Sequence, residues 1–595
     1  MTAKTDKISG ADNYSLCVVM LADCLAARRL EVLKKVASSQ GITVDGVAVT
    51  AKDLDVIDQH SSDIIILYPW NINVLNPLWD TSAVIDEASR LERVEAIKDY
   101  LTVTIQAALS KSSGRLILVQ GLAGPPLLPR GRMEFRSEVS YRRILFEVNE
   151  HICNLIRDNP NAFFIDEERI FANLGKRQLL DYSPGAYVNY MGAQPYNLTT
   201  ERSPLNHKPL VVMAMEYLDI FRMWTGRGRI KCIITDLDNT LWPGEIGNGK
   251  QQINVLEMAM SEFGGLHEAL KLAKEKGILL ASCSKNTQEN VIGPWAELAT
   301  SAKSYGFNYI LEPDDFVIHK INWERKSENV REIISMLGFT KDSFIFIDDH
   351  PVEREEVKQF HPEMTVLDSR STTTRYNLLS DPRMEVVSLT QEAQSRTTMT
   401  KAQLRREEER RTSIDERSFL QSLRIKVRVT LVRAGAKLDR VAELIRRTHQ
   451  FNTTQTSYDV SAIRAFLSSP DTELYTMEVA DKFTNYGLVG VCLIRAGEID
   501  TFVMSCRVLG LKVETVFLVS VLRHCRWAKC DVWGRIVETH YNEPCRHLFL
   551  QAGFTKDDDG RYVCRRGEGL VTIEPNIYEI EVIEEALGAL NQGAG

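Results

Sequence analysis

The chain has 595 residues, of which 26% are charged and 44% apolar, and a formal net charge of −8 at pH 7. Its acidic balance leaves no electrostatic footprint for nucleic acid, and no apolar run approaches the length of a bilayer span. Its 11 cysteines are scattered with neither a CxxC pair nor a close histidine cluster, so neither zinc nor a disulfide framework is expected.

The length predicts about three or four domains. The opening MTAKTDKISGADNYS is polar, and the apolar run after it is short and broken by Asp23. No secretory leader is expected, and the reducing cytosol is the expected compartment. From Ser15, LCVVMLADCLAARRLEVLKKVASSQG reads as strand, turn and amphipathic helix; SDIIILYP (62–69) and RLILVQG (115–121) repeat the buried-strand pattern with helices between. Alternation of this kind predicts an α/β sheet domain over 14–225, closed by a loop around DYSPGAYVNYMG and a helix in RSPLNHKPLVVMAMEYLDIF.

The next segment, KCIITDLDNTLWPG (231–244), carries the chemistry. A β-branched run ends in Asp236 and Asp238, and because strand side chains alternate faces, both point into the crevice beyond the strand's carboxyl end. One carboxylate can attack phosphorus while the other moves a proton. A lone DxD is also common in surface turns, so its neighbours decide. GILLASCSKN (277–286) is a second buried strand, ending in Ser284, Lys285 and Asn286, which can hydrogen-bond phosphate oxygens. FIFIDDHP (344–351) is a third, ending in Asp348 and Asp349, and the intervening predicted helix offers Lys320 or Lys326 as a positive charge. Clustered carboxylates need a cation among them, and a hard oxygen site of this kind suits magnesium.

This ordered set resembles the haloacid dehalogenase (HAD) superfamily of aspartate-nucleophile phosphotransferases. The wording DLDNTLW, CSKN, INWERK and FIDDHPVEREEV resembles its FkbH-like family. Members of that family load a glyceryl unit from 1,3-bisphosphoglycerate onto an acyl carrier protein while removing phosphate. The resemblance implies Asp236 as nucleophile, Asp238 as general acid/base, Ser284 as phosphate donor and Lys326 as the neutralising lysine. It implies magnesium held by Asp236, the backbone carbonyl of Asp238, and Asp348 with or without Asp349. The chain departs from the family at His350, usually asparagine, and Pro243, usually glycine. Acyl transfer to a carrier thiol is easiest through an enzyme thioester, for which Cys283 is the candidate and Cys506 its rival; a buried structural cysteine is the alternative.

The first domain stands where FkbH-like proteins resemble SGNH hydrolases. Asp23 and Cys24 occupy the turn where Gly-Asp-Ser is expected, and His207 has no matching aspartate, so a degenerate scaffold that positions a carrier protein is expected, with Cys24 as an outside candidate. Residues 371–417, rich in charge, read as a solvated helix or tether after a catalytic domain at 228–370. The last domain, 418–580, alternates strands and helices and resembles the GNAT acetyltransferase fold. Its RxxGxG-like pattern falls on Arg507, Gly510 and Lys512, where lysine replaces the last small residue and could meet a phosphopantetheine phosphate. RRTHQFNTTQ (446–455) resembles the family's TNQFN, with His449 as the departure. Thr448, Gln450 and Asn452 there either line a site or cap a helix end.

The expectation is therefore a three-domain α/β chain with a central HAD-like (Rossmannoid) domain, an SGNH-like α/β domain before it and a GNAT-like α+β domain after it. The expected activity is magnesium-dependent glyceryl transfer with dephosphorylation. Asp236 and Asp238 act on the phosphoryl group and Cys283 on the acyl group; Lys285, Asn286, Thr448, Gln450, Asn452 and Arg507 contact substrate; and an acyl carrier protein is the partner. A plain phosphatase for a small phosphorylated metabolite is the alternative, and a non-enzymatic assembly module the third reading.

Overall fold

The structure, a computed structural model, describes residues 14–22, 26–70, 87–124, 131–175, 208–246, 253–370, 373–389, 391–433, 438–448, 450–456, 458, 460–539 and 542–584. Asp23, Cys24, His207, His449 and the loop at 181–192 lie outside the described residues, as does the side chain of Cys506. The chain divides into two compact units, Met1–Gln394 and Ser395–Gly595. Among the described residues, no helix is long and apolar enough to cross a membrane.

The first unit holds two five-stranded sheets. Strands β1 (Tyr14–Ala22), β2 (Ile42–Thr50), β3 (Ile64–Leu67), β4 (Leu116–Gln120) and β5 (Ala162–Ile165) lie in the order β2-β1-β3-β4-β5, all parallel. Every residue of β3 and β4 is buried, which is why these strands read as unbroken apolar runs: helices cover both faces of a parallel sheet. Gly46 is required where β2 meets β1, because a Cβ there would lie 2.0 Å from the Val18 carbonyl oxygen. The helix Lys208–Thr225 packs Leu210, Met213, Ala214, Tyr217, Leu218 and Phe221 into the same core.

On that helix Asp219 pairs with Arg222 at 3.1 Å, and burial pushes its pKa up to about 6. A carboxyl raised above its ordinary 3.8 is a cost to the folded state once ionised. Stability from this group therefore falls as pH rises from about 4 to about 6 and stays lower above that window. Asp219→Asn is expected to raise unfolding stability by roughly 1–3 kcal/mol at pH 7 and by almost nothing at pH 4. Urea melts at the two pH values test this; an equal effect at both would refute it.

The second sheet of this unit comprises β6 (Cys232–Thr235), β7 (Leu279–Ser284), β8 (Ile318–Ile321), β9 (Phe344–Asp348) and β10 (Thr365–Asp368), in the order β10-β9-β6-β7-β8, again all parallel. The chain runs from β6 outward to β7 and β8, then returns to the other side of β6 for β9 and β10. The reversal leaves a crevice beyond the carboxyl ends of β6 and β9, the place where open α/β sheets bind ligands. The core of this layer extends past residue 370: Leu378 and Met384, both expected in the tether, are buried in it. The remainder of the expected tether contains the helix Gln391–Thr412.

The second unit is built on an eight-stranded mixed sheet, β16-β17-β15-β14-β13-β12-β11-β18, with β11 (Ile425–Val432), β12 (Thr472–Ala480), β13 (Asn485–Arg495), β14 (Glu498–Met504), β15 (Val532–Gly534), β16 (Thr555–Lys556), β17 (Tyr562–Cys564) and β18 (Tyr578–Glu584). Its pairs are antiparallel except β11 with β18 and β14 with β15. The helix Val513–His524 packs seven buried apolar side chains, among them Phe517, Leu518 and Val521, against this sheet.

Candidate active site

The crevice between β6 and β9 gathers most of the groups expected from the sequence. Asp236 follows β6 directly, its amide still donating to the Ile347 carbonyl of β9 at 2.9 Å, so the backbone that carries it belongs to the sheet. Asp348 ends β9. Lys326 opens the helix Lys326–Leu337 and places its ammonium between them, Nζ lying 2.9 Å from Asp236 Oδ1 and 2.6 Å from Asp348 Oδ2. All three are at least nineteen-twentieths buried (4%, 0% and 4% exposed for Asp236, Asp348 and Lys326). Burial and the neighbouring carboxylate hold Asp236 and Asp348 above the usual carboxylate range against the pull of Lys326, while the two acids hold the lysine protonated. Lys320, the other lysine considered, pairs with Glu332 outside this cluster.

One lysine against two buried carboxylates leaves a net negative charge, which favours a further cation. Asp236, Asp348 and Asp349 can each offer an oxygen such that the three lie within 4.8 Å of one another. Three carboxylate oxygens form the hard donor set that suits magnesium. Asp349 also accepts from Arg370 Nη2 at 2.6 Å. Arg354 ties the ends of β9 and β10 together, donating to the Asp348 carbonyl at 2.9 Å and to Asp368 Oδ2 at 2.8 Å.

Asp238 sits on the turn after Asp236 and is aimed by three donors. Its Oδ1 accepts from Trp242 Nε1 at 2.8 Å and from the Ile246 amide at 3.0 Å, and its Oδ2 from Asn286 Nδ2 at 2.9 Å. The turn is closed by Asn239, whose left-handed φ of 56° lets its side-chain oxygen accept from the Gly244 amide at 3.0 Å. Beneath it, the fully buried Trp242 packs on Trp295 with ring centroids 5.4 Å apart. His267 accepts from the Leu311 amide on Nδ1 at 3.0 Å and so donates from Nε2 to the Leu241 carbonyl at 2.9 Å, holding the turn from below. Burial pushes that imidazole down to about 4, which keeps it neutral.

Ser284, at the end of β7, is 2% exposed. Lys285 is bound to Glu353 Oε1 at 2.7 Å. Asn286, expected on phosphate, donates from Nδ2 to Asp238 Oδ2 and so orients that carboxylate. Trp242, His267, Arg354 and Arg370 are contributors that residue pattern alone missed; Trp242, inside DLDNTLW, and Arg354, inside FIDDHPVEREEV, stood within motifs.

Cys283 does not stand as expected. Alternation along β7 turns it away from Ser284, toward the Lys326 carbonyl at 3.9 Å. It is 0% exposed and burial drives its thiol far above the ordinary range. A sulfur with no open face favours the buried structural alternative for Cys283 over the acyl-carrying role.

In the second unit three of the residues expected to touch substrate, Thr448, Asn452 and Arg507, make hydrogen bonds within the fold. β14 and β15 pair only through Glu498 with Trp533 and Ile499 with Gly534. Farther along, the segment 451–454 enters between them. The Met504 amide donates to the Phe451 carbonyl at 2.9 Å, the Thr453 amide to the Phe502 carbonyl at 3.1 Å, and the Val537 amide to the Thr453 carbonyl at 2.8 Å. The chain thus fills its own notch. Asn452 is 2% exposed and caps the bend, accepting from the Thr454 and Gln455 amides at 3.2 and 2.9 Å, so the capping alternative describes it. Thr448 is buried, its carbonyl accepting from Asn452, and Gln450 is exposed. Arg507 Nε donates to Ser505 Oγ at 2.9 Å and Nη1 to the Tyr486 carbonyl at 3.3 Å. Lys512 takes a left-handed φ of 55° at the cap of the helix Val513–His524 and pairs with Glu416 at 2.6 Å. A small residue would adopt that conformation without strain.

No family model matches the chain, and no curated protein matches it. Among solved structures it is similar to the N-terminal part of the Bacteroides fragilis protein BF1531, which contains a phosphatase domain and was solved complexed with Mg. That likeness has 21% identity and a TM-score of 0.48, and covers 65% of this chain and 97% of the other. A putative HAD-superfamily (subfamily III A) hydrolase from Legionella pneumophila matches at 14% identity and a TM-score of 0.18, over 32% of this chain and 97% of its own.

Proposed function

We propose that the β6/β9 crevice is a magnesium-dependent phosphoryl-transfer site of the haloacid dehalogenase type. The observation that carries this reading is Lys326 held between the buried Asp236 and Asp348, beside an Asp238 aimed by Asn286 and Trp242. An Asp236 oxygen attacks phosphorus and the bond to the substrate oxygen breaks, Asp238 giving that oxygen its proton. Asp238 then takes a proton from water, whose oxygen attacks phosphorus and releases phosphate from Asp236. Lys326 and the Ser284 hydroxyl stabilise charge on the phosphoryl oxygens. Magnesium held by Asp236, Asp348 and Asp349 would supply Lewis-acid neutralisation of those oxygens.

The finer form of the proposal follows the FkbH-like wording of the motifs. The donor is a three-carbon acyl phosphate such as 1,3-bisphosphoglycerate, and the acceptor is the phosphopantetheine thiol of an acyl carrier protein. With Cys283 sealed in the core, direct attack of the carrier thiolate on the acyl carbonyl is the step proposed: the carbon–sulfur bond forms and the anhydride phosphate departs with the carbon–oxygen electrons. The remaining phosphate ester is cleaved at Asp236.

The test is incubation with magnesium and 1,3-bisphosphoglycerate, with and without holo acyl carrier protein, read by phosphate release and intact-protein mass spectrometry. A glyceryl-sized gain on the carrier with no adduct on any cysteine of the enzyme, Cys283 and Cys506 included, is expected. An adduct mapped to Cys283 would overturn direct transfer, and phosphate release without any carrier product would leave a plain phosphatase.

A further inference from the structure

One surface of the first unit differs in composition from the rest of this acidic chain. Residues 112–175 contain eight arginines and no lysine, and four of the arginines, Arg132, Arg136, Arg142 and Arg143, fall within 131–146. All four are exposed. Between them stand large apolar side chains in water: Met133 at 53%, Phe135 at 77% and Phe146 at 68% exposure. Arginine, aromatic residues and methionine with lysine absent is the composition enriched at the centres of protein–protein interfaces.

The local structure holds these groups outward. Glu134, 2% exposed, is turned into the fold and accepts from the Tyr141 amide at 2.9 Å, so its neighbours Met133 and Phe135 in the short helix Gly131–Arg136 face the other way. The helix Tyr141–Ile156 buries Tyr141, Ile144, Val148, Ile152 and Ile156 along one stripe. Its 3.6-residue period then leaves Arg142, Arg143 and Phe146 together on the opposite face. Phe146 lies about 7 Å along the axis from Tyr141, the residue that anchors Glu134. Arg136 already lies over the Phe135 ring at 5.4 Å, and Arg143 is braced on Glu147 at 2.7 Å. Groups fixed in this way lose little freedom when covered.

We propose that this face, centred on Phe135 and Phe146 and rimmed by Arg132, Arg136 and Arg142, docks an acidic helical protein. The proposal rests on the transferase reading above, whose carrier protein is the occupant it commits to. Charge complementarity supports that occupant, since the exposed Arg132, Arg136 and Arg142 offer positive charge to an acidic surface, Arg143 being paired with Glu147.

The test uses the full chain and fluorescently labelled holo acyl carrier protein, followed by anisotropy at low and high salt. Wild type is expected to bind with salt-sensitive affinity. The triple variant Arg132→Glu, Arg136→Glu, Arg142→Glu and, separately, Phe135→Ser are each expected to weaken binding about tenfold or more. Both variants should release phosphate from acetyl phosphate at the wild-type rate, which shows that they fold. Equal affinity in wild type and both variants, or no association in wild type, overturns the proposal. So does binding of phosphatidylserine vesicles or duplex DNA that the same substitutions abolish while the carrier is ignored. Absence of phosphate release in wild type with carrier binding intact would instead refute the phosphoryl-transfer reading and leave the docking face standing.

Discussion

Asp236→Asn is expected to lower magnesium-dependent phosphate release by about 1,000-fold or more, equivalent to roughly 4 kcal/mol of transition-state stabilisation. The amide is nearly the same size, so the side chain still fits beneath the end of β6, but it cannot form the phosphoryl bond. It also removes one of the two charges that hold Lys326. Folding should survive, because one buried carboxylate, Asp348, remains to pair with the lysine. The measurement is single-turnover phosphate release with acetyl phosphate, together with a denaturant melt. Retention of more than a tenth of wild-type activity with an intact melt would show that Asp236 is not the nucleophile.

Lys326→Ala should damage both stability and chemistry. Removing the ammonium leaves Asp236 and Asp348 buried without their shared partner, a loss of about 3–5 kcal/mol when one member of a buried ion pair is deleted. Added magnesium should recover part of that loss, because an ion bound only by the folded state stabilises it in proportion to its occupancy. Activity is expected to fall by at least 100-fold even at saturating magnesium, since a point charge aimed at the transferring oxygens has gone. Urea melts with and without saturating magnesium read the first effect, and the rate at saturating magnesium reads the second. A variant as stable as wild type without magnesium would mean that the lysine does not neutralise the pair.

Much of the site was legible because its chemistry lies at strand ends. The apolar runs before Asp236, Ser284 and Asp348 announce buried parallel strands, and a parallel sheet delivers the residues after its strands to one edge. Lys326 was one of two lysines that the pattern allowed, and packing chose it: its helix starts beside β7 and β9, whereas Lys320 lies within β8 and turns to Glu332. Asn286 stands in the expected neighbourhood and there donates to Asp238. Whether an amide meets phosphate or a neighbouring carboxylate depends on where the turn after β6 folds back, and that turn is set by Trp242 and His267, which packing and a distant backbone hold.

The residue pattern by itself determined the alternating α/β layers, the two-aspartate strand end, the polar strand end at Ser284–Asn286 and the acidic pair, because each depends on local periodicity and on short spacing. Tertiary structure alone decided three other matters. It turned Cys283 into the core, since strand alternation gives opposite faces to adjacent residues but does not say which face opens to the crevice. It used 451–454 to fill the notch beside β14, a pairing between segments some fifty residues apart that no local pattern encodes. It also set Phe135 and Phe146 in water on an arginine-rich face, because exposure depends on what the folded chain leaves uncovered, and the hydrophobicity of a side chain does not state whether anything will cover it.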